Sequence, residues 1–171
     1  LEPPVGLDTF LAQSDRPYNW LIPGLLEYGD RVIITGGEGR GKSELLRQFG
    51  VQVAAGLVPF TEELNEPHRV LLLDLENSEA QTRRRLEVLR RLIPAEADVE
   101  QYFHIACWPA GIDLTRDSEA DEVSRVIYEE RPELLLMGPM YKMGPDMQKE
   151  EVSRAITMRI DRWRSILGFA L

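Results

Sequence analysis

Gly36-Gly37-Glu38-Gly39-Arg40-Gly41-Lys42-Ser43 is the stretch from which the fold of this sequence can be inferred. It matches the pattern G-x-x-x-x-G-K-[ST] in full. A short β-branched run, residues 31–35, precedes it, and apolar residues recur at helical spacing over residues 42–55. The sequence therefore predicts a buried strand, a glycine-rich loop and a helix in direct succession.

A loop of this kind is suited to holding phosphate groups. Its glycines allow the backbone N–H groups to point inward, and the N-terminus of the following helix attracts an anion. We expect all eight residues, 36–43, to contact the nucleotide, with Lys42 reaching the β- and γ-phosphates and the Ser43 hydroxyl binding Mg²⁺. The alternative is a chance match at a glycine-rich turn, which the flanking strand and helix disfavour.

Strands and helices alternate along the rest of the chain. Apolar runs predict further strands at residues 70–75, 102–107 and 134–137, and a strand that begins at Phe169. Helical spacing of apolar residues predicts helices at 78–93, 118–130 and 149–167. This alternation predicts an α/β fold with a mostly parallel sheet and helices on both faces.

Two carboxylates follow the strand at residues 70–75. Asp74 and Glu76 are two positions apart, so in an extended chain both would point into the crevice at the carboxyl ends of the strands. A carboxylate there can deprotonate a water that attacks the γ-phosphate. Glu76 is the stronger candidate for this base, and two solvated acids at a strand exit are the alternative.

The sequence Trp20-Leu-Ile-Pro-Gly-Leu-Leu26, the loop at 36–43 and the sequence Leu72-Leu-Asp-Leu-Glu-Asn77 together resemble the RecA/DnaB-type ATPases. They are most similar to the RepA-like hexameric helicases and related ATPase domains of phage and bacterial replication proteins. The resemblance implies a RecA-like P-loop fold, ATP with Mg²⁺, hydrolysis with Lys42 and Glu76 as catalytic residues, and a homo-oligomer, with a hexamer as one candidate. It also implies that Arg85, followed by Leu86, packs on the adenine.

Two features leave alternatives open. The resemblance implies an aspartate at the end of the strand at 134–137, where this sequence has Gly138, so metal binding falls to Ser43, with Asp74 acting through water as a second candidate. Arg85 lies in a run of arginines in which Glu79–Arg83 and Glu87–Arg91 have the i,i+4 spacing of ion pairs. A solvated, salt-bridged helix face is therefore the alternative to a role at the adenine.

Composition bounds the remaining possibilities. With 171 residues, 43% hydrophobic and 29% charged, the chain suits one globular domain, and it has no apolar run of the length that spans a bilayer. A single cysteine is typical of a reducing cytoplasm. The net charge of −9 gives no support for DNA binding by this domain alone, although DNA stays a plausible partner of an oligomer. Because the chain lacks a starting methionine and a strand begins near its end, we expect a domain truncated at its C-terminal end.

Three functions fit these observations. The first is an ATPase domain of a DNA replication or recombination protein. The second, favoured by Gly138, is a nucleotide-binding regulatory or scaffold module with little hydrolysis. The third is a small-molecule kinase, which the absence of an evident arginine-rich lid segment disfavours.

Overall fold

The computed structural model describes residues 3–13 and 17–171. In chain order its elements are α1 (Leu7–Leu11), β1 (Trp20–Ile22), β2 (Leu26–Glu27), α2 (Lys42–Ala54), β3 (Val70–Asp74), α3 (Glu79–Arg90), α4 (Val99–Tyr102), β4 (Phe103–Cys107), α5 (Asp117–Glu130), β5 (Leu134–Gly138), a 3₁₀ turn (Met140–Lys142) and α6 (Glu150–Leu167). Most of the predicted helices and strands are therefore present. The short elements α1, β1, β2 and α4 were not predicted.

The main sheet has three parallel strands in the order β4-β3-β5. Asp74, the last residue of β3, is paired with Cys107 of β4 and with Gly138 of β5. The carboxyl ends of the three strands are therefore level, and they form one edge of the sheet. In α/β sheets of this kind, ligands bind at that edge. The antiparallel pair of β1 and β2 forms a separate, smaller sheet.

Alternating side chains of β3 pack into two hydrophobic clusters. Leu71 and Leu73 pack in one cluster with residues of α5 and α6. Val70 and Leu72 pack in the other cluster with residues of α2. Because successive side chains of a strand point to opposite faces, the sheet is covered by helices on both sides. This arrangement confirms the predicted α/β fold.

The helix that follows the glycine-rich loop lies very close to the sheet. A Cβ atom at Gly50 of α2 would come within 2.5 Å of Leu136 Cδ1 and 2.9 Å of Phe103 Cε2, so only glycine allows this approach. On its other side α2 contacts α3, through a small cluster that contains Val51 and Leu89. Leu45, one of the apolar residues that recur at helical spacing, is nevertheless 43% exposed, since Arg47 occupies the buried face at this turn of the helix.

The prediction of a strand at residues 31–35 is wrong. Only its first residues have backbone partners: Val32 N–H donates to Leu171 O at 2.7 Å, and Leu171 N–H donates to Asp30 O at 3.0 Å. No other backbone hydrogen bonds reach residues 33–35 in the described part of the chain, and Ile33 is 53% exposed. A β-branched sequence becomes a strand only where a neighbouring chain supplies a hydrogen-bonding ladder.

The strand predicted to begin at Phe169 is present as a single bridge. Ala170 pairs in parallel with Leu134, the first residue of β5. Residues 169–171 thus lie between β5 and the segment Asp30–Val32, on the side of β5 away from β3. The resemblance to RecA-type ATPases implies that this strand inserts between the segment before the glycine-rich loop and the strand at 134–137, and the observed position agrees with that expectation.

Candidate nucleotide-binding site

The glycine-rich loop leads directly into α2. The Lys42 ammonium donates hydrogen bonds to the carbonyl oxygens of Gly36 and Gly37, both at 2.7 Å, and is thereby held against the loop. Gly39 and Gly41 have φ angles of 70° and 80°, in the left-handed region that favours glycine. Gly41 is the N-cap of α2, so the loop ends where the first N–H groups of the helix have no intrahelical acceptor. This geometry is that of a phosphate-binding loop.

A buried ion pair ties α2 to the end of β3. Arg47 Nη2 lies 2.8 Å from Asp74 Oδ2, and the two side chains are 3% and 4% exposed. Ser43 precedes Arg47 by four residues, so its side chain lies on the same face of α2. The ion pair therefore places the start of α2, with Ser43, beside the carboxyl ends of the strands.

Asp74 is the centre of a wider hydrogen-bond network. In addition to Arg47, its carboxylate accepts bonds from the Thr82 hydroxyl, from the amide side chain and backbone N–H of Asn77, and from the backbone N–H of Glu76. Burial alone raises the pKa of Asp74, but the bonds from Arg47, Asn77 and Glu76 outweigh it and lower the pKa to about 2. Both carboxylate oxygens are thus engaged by the protein. A role for Asp74 in metal binding through water stays a prediction.

Glu76 lies two residues beyond β3, and its side chain is exposed. The strand ends at Asp74, so the alternation of side chains does not continue to Glu76. Asp74 is buried whereas Glu76 is exposed, so the structure does not place the two carboxylates in a common environment. Glu76 Oε1 accepts a hydrogen bond from the Tyr141 hydroxyl at 2.6 Å. Its other carboxylate oxygen has no hydrogen-bond partner among residues 3–13 and 17–171.

Gly138 ends β5, opposite Asp74. Its carbonyl oxygen accepts a hydrogen bond from Leu75 N–H at 2.9 Å, and a Cβ atom at this position would have no heavy atom of the described residues within 4 Å. The position expected to hold an aspartate thus has room for one, but the glycine offers no side-chain ligand.

Arg85 is exposed on α3, and no ion pair involves it within the described ranges. A cleft of about 780 Å³ lies between α3 and β4, lined by Arg83 and Leu86 among others, but by neither Arg85 nor any residue of the loop at 36–43. The pairs Glu79–Arg83 and Glu87–Arg91 do not form in the described structure. Contact of Arg85 with an adenine stays a prediction.

The site suits a magnesium ion that arrives with a nucleotide. Among residues 3–13 and 17–171 no cluster of three or more His, Cys, Asp or Glu side chains could hold a metal ion. Mg²⁺ in phosphate sites keeps several waters and binds mainly to phosphate oxygens, so it needs few protein ligands. The Ser43 hydroxyl is exposed at the start of α2 and makes no hydrogen bond to another described residue, so it is free to be such a ligand.

Sequence reasoning missed several residues that shape this site. Arg47, Asn77 and Thr82 hold Asp74, and Tyr141 contacts Glu76. The spacing of Arg47 four residues after Ser43 was a usable signal, because it places a cation on the same helix face. Nothing in the local sequence marks the partner of Tyr141, which lies 65 residues away.

A glycine-rich loop that opens a helix beside the carboxyl ends of a parallel sheet defines a P-loop nucleotide-binding domain. The sequence from residue 2 to residue 170 matches the model of a family described as the AAA domain, and the chain belongs to this family. It is therefore an ATPase-type nucleotide-binding domain. No curated protein matches the sequence. Within the described residues, no helix is both long and apolar enough to cross a membrane.

Proposed function

We propose that residues 1–171 act as one RecA-like domain that binds and hydrolyses ATP in a DNA replication or recombination protein, helicase-like and oligomeric when active. The observation that carries the proposal is the placement of Glu76. It follows β3, the strand whose last residue, Asp74, is tied to the phosphate-loop helix by Arg47. The exit of that strand, where one Glu76 carboxylate oxygen has no hydrogen-bond partner among the described residues, is therefore held beside α2.

Binding of the triphosphate rests on the loop and on Lys42. The backbone N–H groups at the start of α2 and the Lys42 ammonium supply positive charge to the β- and γ-phosphates. The hydrogen bonds of Lys42 to Gly36 O and Gly37 O can be exchanged for stronger charge-assisted bonds to phosphate oxygens. Ser43 would hold Mg²⁺, which neutralises charge on the phosphates.

Hydrolysis is proposed to use Glu76 as the general base. The free oxygen of its carboxylate would accept a proton from a water molecule as the water oxygen bonds to the γ-phosphorus. The bond from the γ-phosphorus to the bridging oxygen breaks, and ADP and phosphate are the products. Lys42 stabilises the charge that develops on the phosphate oxygens.

Arg85 is proposed to pack on the adenine, where a guanidinium can lie over an aromatic ring. Its exposure on α3, without an ion-pair partner in the described part of the chain, leaves it available for this contact. A homo-oligomer, with a hexamer as one candidate, follows from the resemblance to RepA-like helicases. DNA is proposed as a partner of that oligomer, since the net charge of −9 disfavours binding by one domain alone.

A nucleotide-binding regulatory or scaffold module is the second candidate function. Gly138 favours it, because the end of β5 lacks the carboxylate that would orient waters around the metal. Such a module would bind ATP through residues 36–43 and would turn it over slowly or not at all.

The experiment is steady-state phosphate release by wild type and by Glu76→Gln, in the full-length protein, with and without single-stranded DNA. Glutamine keeps the size of the side chain but cannot accept the proton of the water. We expect a loss of roughly 10² to 10⁴-fold in kcat, with ATP affinity nearly unchanged. Glu79→Gln is the matched control, because Glu79 is an exposed carboxylate three residues further along.

The outcomes separate the candidate functions. Equal rates for wild type and Glu76→Gln would place the base elsewhere. A wild type that binds ATP but releases no phosphate under either condition would favour the nucleotide-binding module.

A further inference from the structure

Tyr141 connects the exits of two neighbouring strands. It lies in the 3₁₀ turn Met140–Lys142, which follows β5, and its hydroxyl donates to Glu76 Oε1, beyond the end of β3, at 2.6 Å. Both residues are exposed to solvent, and Tyr141 is 58% exposed. Two exposed side chains 65 residues apart thus meet at the edge of the sheet where the nucleotide is proposed to bind.

The negative charges of two glutamates act on the phenol of Tyr141. The pKa of Tyr141 is raised, first by its hydrogen bond to Glu76, then by partial burial, and then by the negative charges of Glu76 and of Glu38. Glu38 belongs to the glycine-rich loop. The hydroxyl of Tyr141 is therefore within electrostatic range of both the proposed base and the loop that would hold the phosphates.

The backbone and the side chain of Glu76 are held by different partners. Its backbone N–H donates to Asp74 Oδ1 at 3.2 Å, so the main chain is fixed by the buried network. Its carboxylate has Tyr141 as its only hydrogen-bond partner among the described residues. Fixing an exposed glutamate side chain in one rotamer costs conformational entropy. A hydrogen bond to one carboxylate oxygen offsets that cost.

We infer that Tyr141 is a positioning residue for Glu76: its hydroxyl holds Oε1 so that Oε2 faces the attacking water. The inference rests on the proposed function. In the hydrolytic step Oε2 takes the proton of the water, the water oxygen bonds to the γ-phosphorus, and the bond to the leaving ADP oxygen breaks. Tyr141 keeps its own proton throughout, so it adds no reactant to the balance.

This role gives β5 a part in the site despite Gly138. The last residue of the strand has no side chain to offer, and the turn that follows supplies a phenol three residues later. A positioned base increases the rate because the reacting atoms are held near their transition-state geometry. Binding of the triphosphate, which depends on residues 36–43, does not require it.

The test is Tyr141→Phe, which removes only the hydroxyl. Loss of one such hydrogen bond is expected to lower kcat about 3- to 10-fold, while KM and the Kd for ATP change less than about 2-fold. Tyr128→Phe is the control, since Tyr128 is an exposed tyrosine on α5, 62% accessible, and its kcat is expected to equal that of wild type.

A spectroscopic measurement tests the contact without relying on turnover. The chain has five tyrosines, so protein labelled with fluorotyrosine gives a countable set of ¹⁹F signals, and that of Tyr141 is identified by its loss in Tyr141→Phe. Glu76→Gln is expected to move this signal and to leave that of Tyr128 in place. An unmoved signal would show that the phenol does not contact Glu76, and would overturn the inference.

The combined results separate this inference from the proposed function. If wild type hydrolyses ATP and Glu76→Gln does not, but Tyr141→Phe retains the wild-type kcat, the inference fails and the proposed function stands. A higher kcat in Tyr141→Phe would also overturn it, because the phenol would then restrain the base. A wild type without hydrolysis overturns both.

Discussion

Gly138 is the residue at which this site departs most from the pattern that the resemblance to RecA/DnaB-type ATPases implies. It is paired with Asp74 at the level carboxyl ends of β3 and β5, and its backbone oxygen takes part in the bond to Leu75. A side chain at this position would meet no heavy atom of residues 3–13 and 17–171 within 4 Å of its Cβ. The missing carboxylate therefore reflects the residue type and is not imposed by crowding.

Gly138→Asp is expected to improve hydrolysis at low magnesium. An aspartate there can accept hydrogen bonds from metal-bound water, and partners of this kind change metal affinity by roughly 10-fold or more. We expect the Mg²⁺ concentration for half-maximal phosphate release to fall by about that factor. Gly138→Ala controls for the added side chain, and an identical Mg²⁺ dependence of the two variants would contradict the account.

At the scale of secondary-structure elements, the ion pair between Arg47 and Asp74 joins α2 to β3. It joins the second turn of the phosphate-loop helix to the last residue of β3, and Thr82 brings the first turn of α3 into the same network. A buried charge pair with a full set of hydrogen bonds fixes geometry more reliably than it adds stability. Removal of one partner is nevertheless costly, since it leaves the other charge buried.

The pKa of Asp74 gives this network a pH dependence. The folded pKa of about 2 lies below the ordinary 3.8, so the charged form favours the folded state. This stabilisation, about 2 kcal/mol, is present above pH ~4 and is lost as the pH falls toward ~2. We therefore expect the stability difference between wild type and Asp74→Asn, measured by urea unfolding, to shrink as the pH is lowered through this window.

Asp121→Asn is the matched control for that experiment. Asp121 is exposed on α5 and makes no ion pair within residues 3–13 and 17–171, so its replacement should change stability little at any pH. A difference between wild type and Asp74→Asn that stays constant from pH 4 to pH 2 would contradict the assignment of the network to Asp74.

For the whole molecule, the parts predicted from sequence are those that depend on local pattern. Residues adjacent in sequence are enough to specify three of these parts, and all three are present: the strands β3 and β5, from their continuous apolar runs, and the glycine-rich loop before α2. A strand at residues 31–35 would depend instead on a partner segment, and in the described part of the chain the backbone hydrogen bonds from residues 169–171 reach no further than Val32. The length of a hydrogen-bonding ladder between two segments cannot be predicted from the sequence of one of them.

The candidate site depends on local pattern in the same way. The roles of Lys42 and Ser43 are predicted from a motif of eight consecutive residues, and that of Glu76 from its place after a strand, and these roles stay predictions. Arg47 was missed because an arginine on a helix is usually solvated, and its burial depends on Asp74, 27 residues later in the chain. Tyr141 and Glu76 meet only because the register of β3 and β5 brings their exits together.

The central claim is that the loop at residues 36–43 holds the phosphates of ATP, and titration of a fluorescent ATP analogue against Lys42→Ala tests it most directly. Loss of the charge-assisted bonds to the β- and γ-phosphates is expected to weaken affinity roughly 10- to 100-fold. Lys149→Ala is the control, since its side chain is 70% exposed and pairs only with Asp146 among the described residues. Wild-type affinity in a folded Lys42→Ala variant would contradict the account.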